Sequence, residues 1–291
     1  MNKIVGLGAC VYDTLIKCPT YPDEDSKLKA DDVFVSGGGP VGNALVVASK
    51  LGAQAEVIGL FGSDGAAEYL LKDFDRLGVK RDKAVKVSGA RSFTSYIVLS
   101  KVAGTRTCVF DRGTVPDDPS LVDFSPINSA DILHLDGNYL SCAIEAAKKA
   151  KKLGVKVSLD AGGVYEGIEK LLPYVDILIP SAYFAETITG KKSITEALEV
   201  LYEKYRPLVL AVTDGDKGGY YYDGKVGKYD GVKVNVVDTN GAGDTFHGAF
   251  LTAYLAGKTV EECCVYASEV AAHKCSKAGV RGVDYSRFII G

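Results

Sequence analysis

Two acidic residues flank a glycine-rich stretch near the C-terminus, and their positions indicate phosphate chemistry. Asp238 ends an apolar, β-favouring run, and Asp244 stands where an apolar helical pattern begins. Between them lie three small residues, Gly241, Ala242 and Gly243. A carboxylate in a first helical turn stabilises the helix by about 0.3–1 kcal/mol, but that role does not require Gly-Ala-Gly in front of it. Because N–H groups at a helix start bind anions, Asp244 is a candidate base beside a phosphoryl group.

Two other glycine-rich stretches are candidate ligand loops. GGGPVG, residues 37–42, matches the GxGxxG pattern of a dinucleotide-binding loop. However, the chain's first strand does not precede it, and the acidic residue expected after the next strand is missing. Its glycines allow close approach of a ligand, and Asn43 adds an amide, although a tight turn into a helix is as simple a reading. TDGDKGG, residues 213–219, follows an apolar strand and suits phosphate, although a hairpin turn would look similar.

Composition excludes several other classes of protein. The 291 residues carry a net charge of −3, so the chain has no general attraction to nucleic acid or anionic membranes. Seven cysteines without a CxxC pair indicate reduced thiols. The N-terminal apolar run is interrupted at Asp13, too soon for a signal peptide or a membrane helix. We therefore expect a cytoplasmic protein with small-molecule partners and no nucleic-acid or membrane partner.

Strand and helix patterns alternate along most of the chain. We predict buried strands at 4–11 and 55–62, helices after residue 39 and after residue 64, helices at 139–153, 182–189 and 193–205, and helical structure from 244 to about 277. Strands that alternate with helices favour a mainly parallel sheet with right-handed crossovers. Two β-rich segments interrupt the pattern, near 14–35 and 90–112, and a lid there would exclude water from a site at the strand ends.

Two of these stretches resemble the signatures of a known family. DTNGAGDTFHGAF resembles the C-terminal signature, and GGGPVGNA followed by LGA the N-terminal signature, of ribokinase-like (PfkB) carbohydrate kinases. The resemblance covers essentially the whole chain. It implies a ribokinase-like three-layer sandwich, with a central mainly parallel sheet flanked by helices in residues 1–13, 36–89 and 113–291, and a small β-sheet lid from 14–35 and 90–112. It also implies an ATP-dependent sugar kinase that uses Mg²⁺, with a lid that pairs two subunits in dimeric relatives.

The resemblance assigns roles by position. Asp244 matches the base that deprotonates the sugar's primary hydroxyl group. The backbone of Gly241, Ala242 and Gly243 matches the anion hole for the transferred γ-phosphoryl group. The sugar-binding positions match Asp13, Gly38, Gly39 and Asn43, and a lid residue that reaches toward the substrate matches Arg106. The ATP-binding loop matches Thr213, Gly215 and Gly218. Some members bind a monovalent cation such as K⁺ at the positions of Asp238 and Asn240.

One family motif is missing, and its absence bears on the substrate. Many members carry an Asn-x-x-Glu motif, and this chain has Ser181 at the Asn position and Phe184 at the Glu position. Glu186 lies two residues after the motif's Glu position. Mg²⁺–ATP remains the expected cosubstrate, with altered support for the metal. Ketohexokinase-like and sulfofructose kinase-like members also lack the motif, and the latter share the pattern AxKCxxxGxRxG, here AHKCSKAGVRG.

The resemblance thus favours a ketohexose or a modified ketohexose as the acceptor. Ribose, 2-keto-3-deoxygluconate and nucleosides are the alternatives within the family. A non-catalytic protein that senses a sugar or nucleotide on the same fold is the alternative from another class, and the intact GAGD argues against it.

Overall fold

A nine-stranded sheet runs through the computed structural model, which describes residues 2–103 and 105–290. Its order is β15-β14-β13-β12-β11-β10-β1-β4-β6, with strands β1 Lys3–Leu7, β4 Gln54–Val57, β6 Val79–Lys80, β10 Ile132–Leu135, β11 Lys156–Ala161, β12 Ile177–Pro180, β13 Val209–Thr213, β14 Gly219–Tyr222 and β15 Val226–Tyr229. Neighbours from β6 to β13 are parallel, and β14 and β15 add an antiparallel edge. The predicted mainly parallel sheet is confirmed.

Helices cover both faces of this sheet. They are α1 Pro40–Lys50, α2 Gly65–Arg76, α3 Leu140–Leu153, α4 Ala182–Thr189, α5 Ile194–Tyr205, α6 Ala242–Leu255 and α7 Val260–Cys275, with short 3₁₀ turns at Pro119–Leu121, Ser125–Ser129, Ile168–Lys170, Leu172–Tyr174, Gly215–Lys217 and Ser286–Phe288. Alternate strand residues serve opposite faces. Ile177 and Ile179 belong to the core cluster that includes residues of α1, α2, α6 and α7, whereas Leu178 belongs to the cluster that includes residues of α3, α4 and α5. Within the described ranges no helix is long and apolar enough to cross a membrane.

A second, four-stranded sheet lies apart from the main one, and we call it the lid. Its order is β3-β2-β8-β9, with strands β2 Val11–Cys18, β3 Asp32–Gly38, β8 Thr94–Ser100 and β9 Thr105–Asp111. The β-rich segments near 14–35 and 90–112 belong to one sheet because β2 pairs in parallel with β8. Because β2 starts at Val11 and β3 ends at Gly38, the sheet extends beyond residues 14–35. The division into core and lid domains remains a prediction.

Helix α6 is buried on almost all sides, from Thr245 to Ala253. A helix that is apolar all round belongs in a core, and α6 packs against both α1 and α7. Gly248 makes the contact with α1 possible, because a Cβ atom at this position would collide with the backbone carbonyl of Ala44. The close packing fixes the N-terminus of α6 relative to α1.

Three predicted strands differ from the structure. The run 4–11 ends as β1 at Leu7, and Val11 already begins β2 of the lid. The run 55–62 divides into β4 and a short strand, β5 Gly59–Phe61, which pairs instead with β7 Ala84–Lys86. The break falls at Gly59, whose φ of 121° strains any residue with a side chain. The apolar run before Asp238 forms no strand: Val236 and Val237 are each 63% exposed. Among residues 2–103 and 105–290 no strand pairs with it, so its β-propensity is not realised.

Candidate active site

The N-terminus of α6 lies beside a cavity that Gly241, Ala242 and Gly243 line. The helix follows Gly241, whose φ of 73° lies in the left-handed region that favours glycine. A Cβ atom at Gly243 would meet nothing within 4 Å. The first N–H groups of a helix have no helical carbonyl partner, so this turn can receive an anion.

Asp244 lies in that first turn and contacts α1 directly. The amide Nδ2 of Asn43 donates a hydrogen bond of 2.8 Å to Asp244 Oδ2, joining residues 201 positions apart. Asn43 is buried, while Asp244 is half-buried and lines a cavity. The structure therefore brings together two residues that the sequence placed in separate signatures.

Arg281 holds Asn43 in this orientation, and sequence reasoning did not select it. Its Nε donates to Asn43 Oδ1 at 3.3 Å, and its Nη2 donates to the carbonyl of Gly38 at 3.1 Å. Its Nη1 pairs with Asp73 of α2 at 2.7 Å. Since the Asn43 oxygen faces Arg281, the amide nitrogen faces Asp244. A buried chain of polar contacts thus runs from Asp73 through Arg281 and Asn43 to Asp244.

Asp13 faces the same cavity from the lid. It is 7% exposed, and Ser95 Oγ donates a hydrogen bond of 2.6 Å to its Oδ1. Gly38 lies against it, because a Cβ atom there would collide with the Asp13 carboxylate. Burial and the charge of Asp244 raise the pKa of Asp13 to about 6, while Ser95 and Arg281 act in the opposite direction.

These groups surround a cavity of about 340 Å³. Its lining combines apolar residues of the lid with the predicted positions Asp13, Gly39, Asn43, Arg106, Asn240, Gly241, Ala242, Gly243 and Asp244. Arg106 Nη1 donates to Thr239 Oγ1 at 2.6 Å, so the lid touches the loop that enters α6. A larger cavity of about 920 Å³ adjoins this one and shares Arg106, Cys108 and Thr239 with it. Arg106 therefore lines both cavities.

A second buried group of polar side chains lies behind Asp244. His247 Nε2 lies 3.3 Å from Asp160 Oδ1, and the His247 ring lies 5.6 Å from that of His134. His134 Nδ1 is 3.2 Å from Ser158 Oγ, and burial lowers the pKa of His134 to about 3.

Burial raises the pKa of Asp244, the charge of Asp160 adds to the increase, and Asn43 and His247 oppose it. The environment therefore makes Asp244 a better proton acceptor than an exposed aspartate.

The predicted ATP loop lies at the end of β13 and outside the cavity around Asp244. Thr213 is the last residue of β13, and Gly215 and Gly218 both have positive φ. Asp214 N donates to the Gly218 carbonyl at 2.8 Å, which closes the loop. None of the predicted ATP residues lines the cavity around Asp244.

The residues at the missing Asn-x-x-Glu motif have structural roles here. Ser181 caps α4 by accepting a hydrogen bond from Phe184 N at 3.1 Å, and it pairs with Thr213 as a β-bridge. Phe184 is fully buried in the core. Among the described residues no group of three His, Cys, Asp or Glu side chains could cage a metal ion.

Asp238, one of the two predicted cation residues, already accepts hydrogen bonds from protein donors. Asp238 Oδ1 accepts from Asn240 N and its Oδ2 from Gly279 N, both at 2.8 Å. The ammonium group of Lys274 donates to the Asp238 backbone carbonyl at 2.7 Å and lies 3.3 Å from Oδ2. Burial lowers the pKa of Lys274, whereas the charges of Asp238 and Asp244 act in the opposite direction. A free monovalent cation beside Asp238 does not fit this arrangement.

Comparisons with known proteins agree on one family. The family model for pfkB family carbohydrate kinases matches residues 1–285. The chain is 28% identical to ribokinase from Haemophilus influenzae over 285 residues, covering 94% of this chain and 92% of that protein. It is 26% identical to ketohexokinase from Mus musculus over 296 residues, covering 97% and 99%. The solved structure of Arabidopsis thaliana ribokinase complexed with ribose and ATP has a TM-score of 0.81 and 26% identity, covering 96% and 94%.

Proposed function

The chain belongs to the pfkB family of carbohydrate kinases, and from this premise we propose that its acceptor is the primary hydroxyl group of a ketohexose or a modified ketohexose. The protein is an ATP-dependent sugar kinase, as the family match and its ribokinase and ketohexokinase relatives show. The observation that carries the proposed mechanism is the Asn43–Asp244 contact, which sets a carboxylate beside the open N-terminus of α6.

Asp244 is the base in this proposal. The acceptor oxygen attacks the γ-phosphorus of ATP, its proton passes to Asp244, and the bond to the β-phosphate oxygen breaks to leave ADP. The raised pKa of Asp244 supports the role, because a base is more effective when its pKa approaches the working pH. The N–H groups of Gly241, Ala242 and Gly243 stabilise the charge on the transferred group. Mg²⁺, bound mainly by the ATP phosphates, would supply further charge neutralisation.

Asp13 and Asn43 are the sugar-binding side chains in this proposal. A carboxylate accepts hydrogen bonds from two hydroxyl groups, and an amide both donates and accepts. The bare backbone at Gly38 and Gly39 lets the sugar approach closely. Thr213, Gly215 and Gly218 bind ATP from the end of β13. The lid closes over both ligands and excludes water, with Arg106 at its rim.

Arg106 supports the choice of a ketohexose that carries an anionic substituent. Among the described residues that line the cavity around Asp244, Arg106 is the one cation. It also lines the adjoining cavity of about 920 Å³, which leaves room for a substituent at the far end of the acceptor. Similarity to a ketohexokinase over 97% of this chain supports the ketohexose itself.

A coupled ADP-release screen tests the choice of acceptor. The panel contains fructose, tagatose, ketohexose phosphates, sulfofructose, ribose, 2-keto-3-deoxygluconate and nucleosides. We expect the highest kcat/KM with a ketohexose or its phospho or sulfo form. A clear preference for ribose, 2-keto-3-deoxygluconate or a nucleoside would overturn the substrate proposal and leave the sugar kinase assignment intact.

We also propose a cytoplasmic homodimer that pairs through the outer face of the lid. That face exposes Val33, Tyr96 and Val109, and β9 is an edge strand. Exposed apolar faces and unpaired edges commonly mark interfaces. The seven free thiols suit a reducing compartment. Light scattering should report a dimer that Val109→Lys converts to monomer; a monomeric wild-type protein would contradict the proposal.

A further inference from the structure

Lys274 is an unusual residue in the core of the molecule. It lies in the last turn of α7, and none of its surface is exposed. Lysine is almost never fully buried unless it is paired, because an ammonium group loses its hydration on burial. In the described part of the chain, the Lys274 ammonium group contacts two oxygens of Asp238, the backbone carbonyl at 2.7 Å and the carboxylate Oδ2 at 3.3 Å. The ammonium group is therefore paired directly with Asp238, and the charge of Asp244 also acts on it.

Asp238 connects this charge to the anion-binding turn. Its carboxylate accepts from Asn240 N on one oxygen and from Gly279 N on the other. Its own N–H donates to the carbonyl of Cys275 at 3.1 Å. The loop from Asp238 to Asn240 leads directly into Gly241, and it is thus tied to the segment that follows α7. Displacement of Asp238 would move the N–H groups that face the phosphoryl group.

The oxygens around Lys274 are those that a dehydrated monovalent cation also prefers. Hard cations bind carbonyl and carboxylate oxygens, and Asp238 offers one of each to the same point. The Lys274 ammonium already occupies that point with a charge of the same sign and size. A free ion could enter only if the lysine side chain left.

We propose that the Lys274 ammonium group serves as a tethered monovalent cation, which takes the place of free K⁺ beside Asp238 and holds the loop into Gly241 in its phosphate-binding shape. This proposal rests on the assignment of that turn as the anion hole. It makes Lys274 a positioning residue that acts through Asp238. It also predicts that this kinase needs no added K⁺, so the K⁺ expected from the resemblance is not a cofactor here.

The first test compares wild-type activity in different salts. ADP release with the preferred sugar is measured in KCl, NaCl and choline chloride at equal ionic strength, with Mg²⁺–ATP in excess. We expect kcat to be the same in all three salts. Wild-type activity that is present in KCl and lost in choline chloride would overturn the proposal.

Two substitutions of Lys274 sharpen this test. Lys274→Ala removes the ammonium and leaves space beside Asp238, so kcat should fall by up to about 10²-fold in choline chloride and recover in KCl or RbCl. Lys274→Met fills the same space without a charge, so KCl should not restore its activity. Lys277→Ala is the matched control, because Lys277 is exposed three residues away; its activity should equal wild type in every salt.

Thermal melting gives a readout that does not depend on turnover. The melting temperature of Lys274→Ala should rise in KCl relative to choline chloride, whereas that of the wild type and Lys274→Met should not. If Lys274→Ala folds but neither its activity nor its melting temperature responds to K⁺, Lys274 has only a structural role. If no sugar is phosphorylated, the proposed function fails, and the melting experiment still decides the cation question. If Lys274→Ala does not fold, the wild-type salt comparison decides it.

Discussion

The helical core and the lid line the same cavity, but they are built differently. On the core side, Asn43 and Arg281 are 4% and 3% exposed, and each contact of the chain from Asp73 to Asp244 is buried or half-buried. On the lid side, β9 is exposed along its whole length from Thr105 to Asp111. A buried network fixes a single geometry, whereas an exposed edge strand can move. The core is therefore suited to hold the base, and the lid to select and enclose the acceptor.

Among the predictions that compare the core with the lid, the largest effect comes from breaking the buried network at Arg281. Arg281→Met leaves the Asp73 carboxylate without its buried partner, which should lower the free energy of unfolding by about 3–5 kcal/mol. It also frees the Asn43 amide, so kcat should fall by up to about 10²-fold. Chemical denaturation and steady-state kinetics measure the two effects separately.

A double variant separates stability from catalysis at this position. Asp73→Asn combined with Arg281→Met removes the unpaired charge, so stability should partly recover while kcat stays low. Arg76→Met is the matched control, because Arg76 also binds Asp73 but its side chain is 66% exposed. Full recovery of kcat in the double variant would show that Arg281 does not orient Asn43.

A smaller effect is predicted for the lid. Arg106→Ala removes the contact with Thr239 and the cation at the cavity rim, so kcat/KM for the sugar should fall by about 10-fold, equivalent to one charge-assisted hydrogen bond. Since Arg106 is exposed, the free energy of unfolding should change by less than about 0.5 kcal/mol. Arg91→Ala, which breaks only a surface ion pair with Asp111, should keep wild-type kinetics. A stability loss as large as that of Arg281→Met would contradict the division between core and lid.

The smallest predicted effect is a pH dependence that originates in the lid. The pKa of Asp13 is raised to about 6, so this carboxylate becomes protonated as the pH falls through 6 and then accepts fewer hydrogen bonds from the sugar. We expect kcat/KM for the sugar to decrease over that range. Ser95→Ala removes a contact that lowers the pKa, so it should move the decrease to higher pH. A pH profile that is the same in Asp13→Asn as in wild type would assign the decrease to another group.

Local patterns in the sequence predicted several helices of the fold and the candidate base of the site. The spacing of apolar residues and glycines predicted helices that closely match α3, α4 and α5, because long periodic segments carry a strong signal. The sequence also singled out Asp244, since a helix start after Gly-Ala-Gly has a recognisable chemistry. Both predictions depend on residues that are close together in the chain.

The contacts that the sequence did not reveal depend on residues far apart. Arg281 contacts Asn43 across 238 positions, and Lys274 contacts Asp238 across 36. Arginine and lysine are mostly exposed in proteins, so nothing in their residue type predicts that these two are buried. The run before Asp238 was predicted as β-favouring and forms a loop, because strand formation needs a neighbour that one sequence does not show.

The central claim is that Asp244 takes the proton from the acceptor beside the N-terminus of α6, and Asp244→Asn tests it most directly. The amide keeps the size of the side chain, so the fold and ATP binding should remain near wild type. We expect kcat with the preferred sugar to fall by about 10²–10⁴-fold, while the melting temperature and the Kd for ATP change little. Wild-type turnover in a folded Asp244→Asn protein would contradict the assignment of Asp244 as the base.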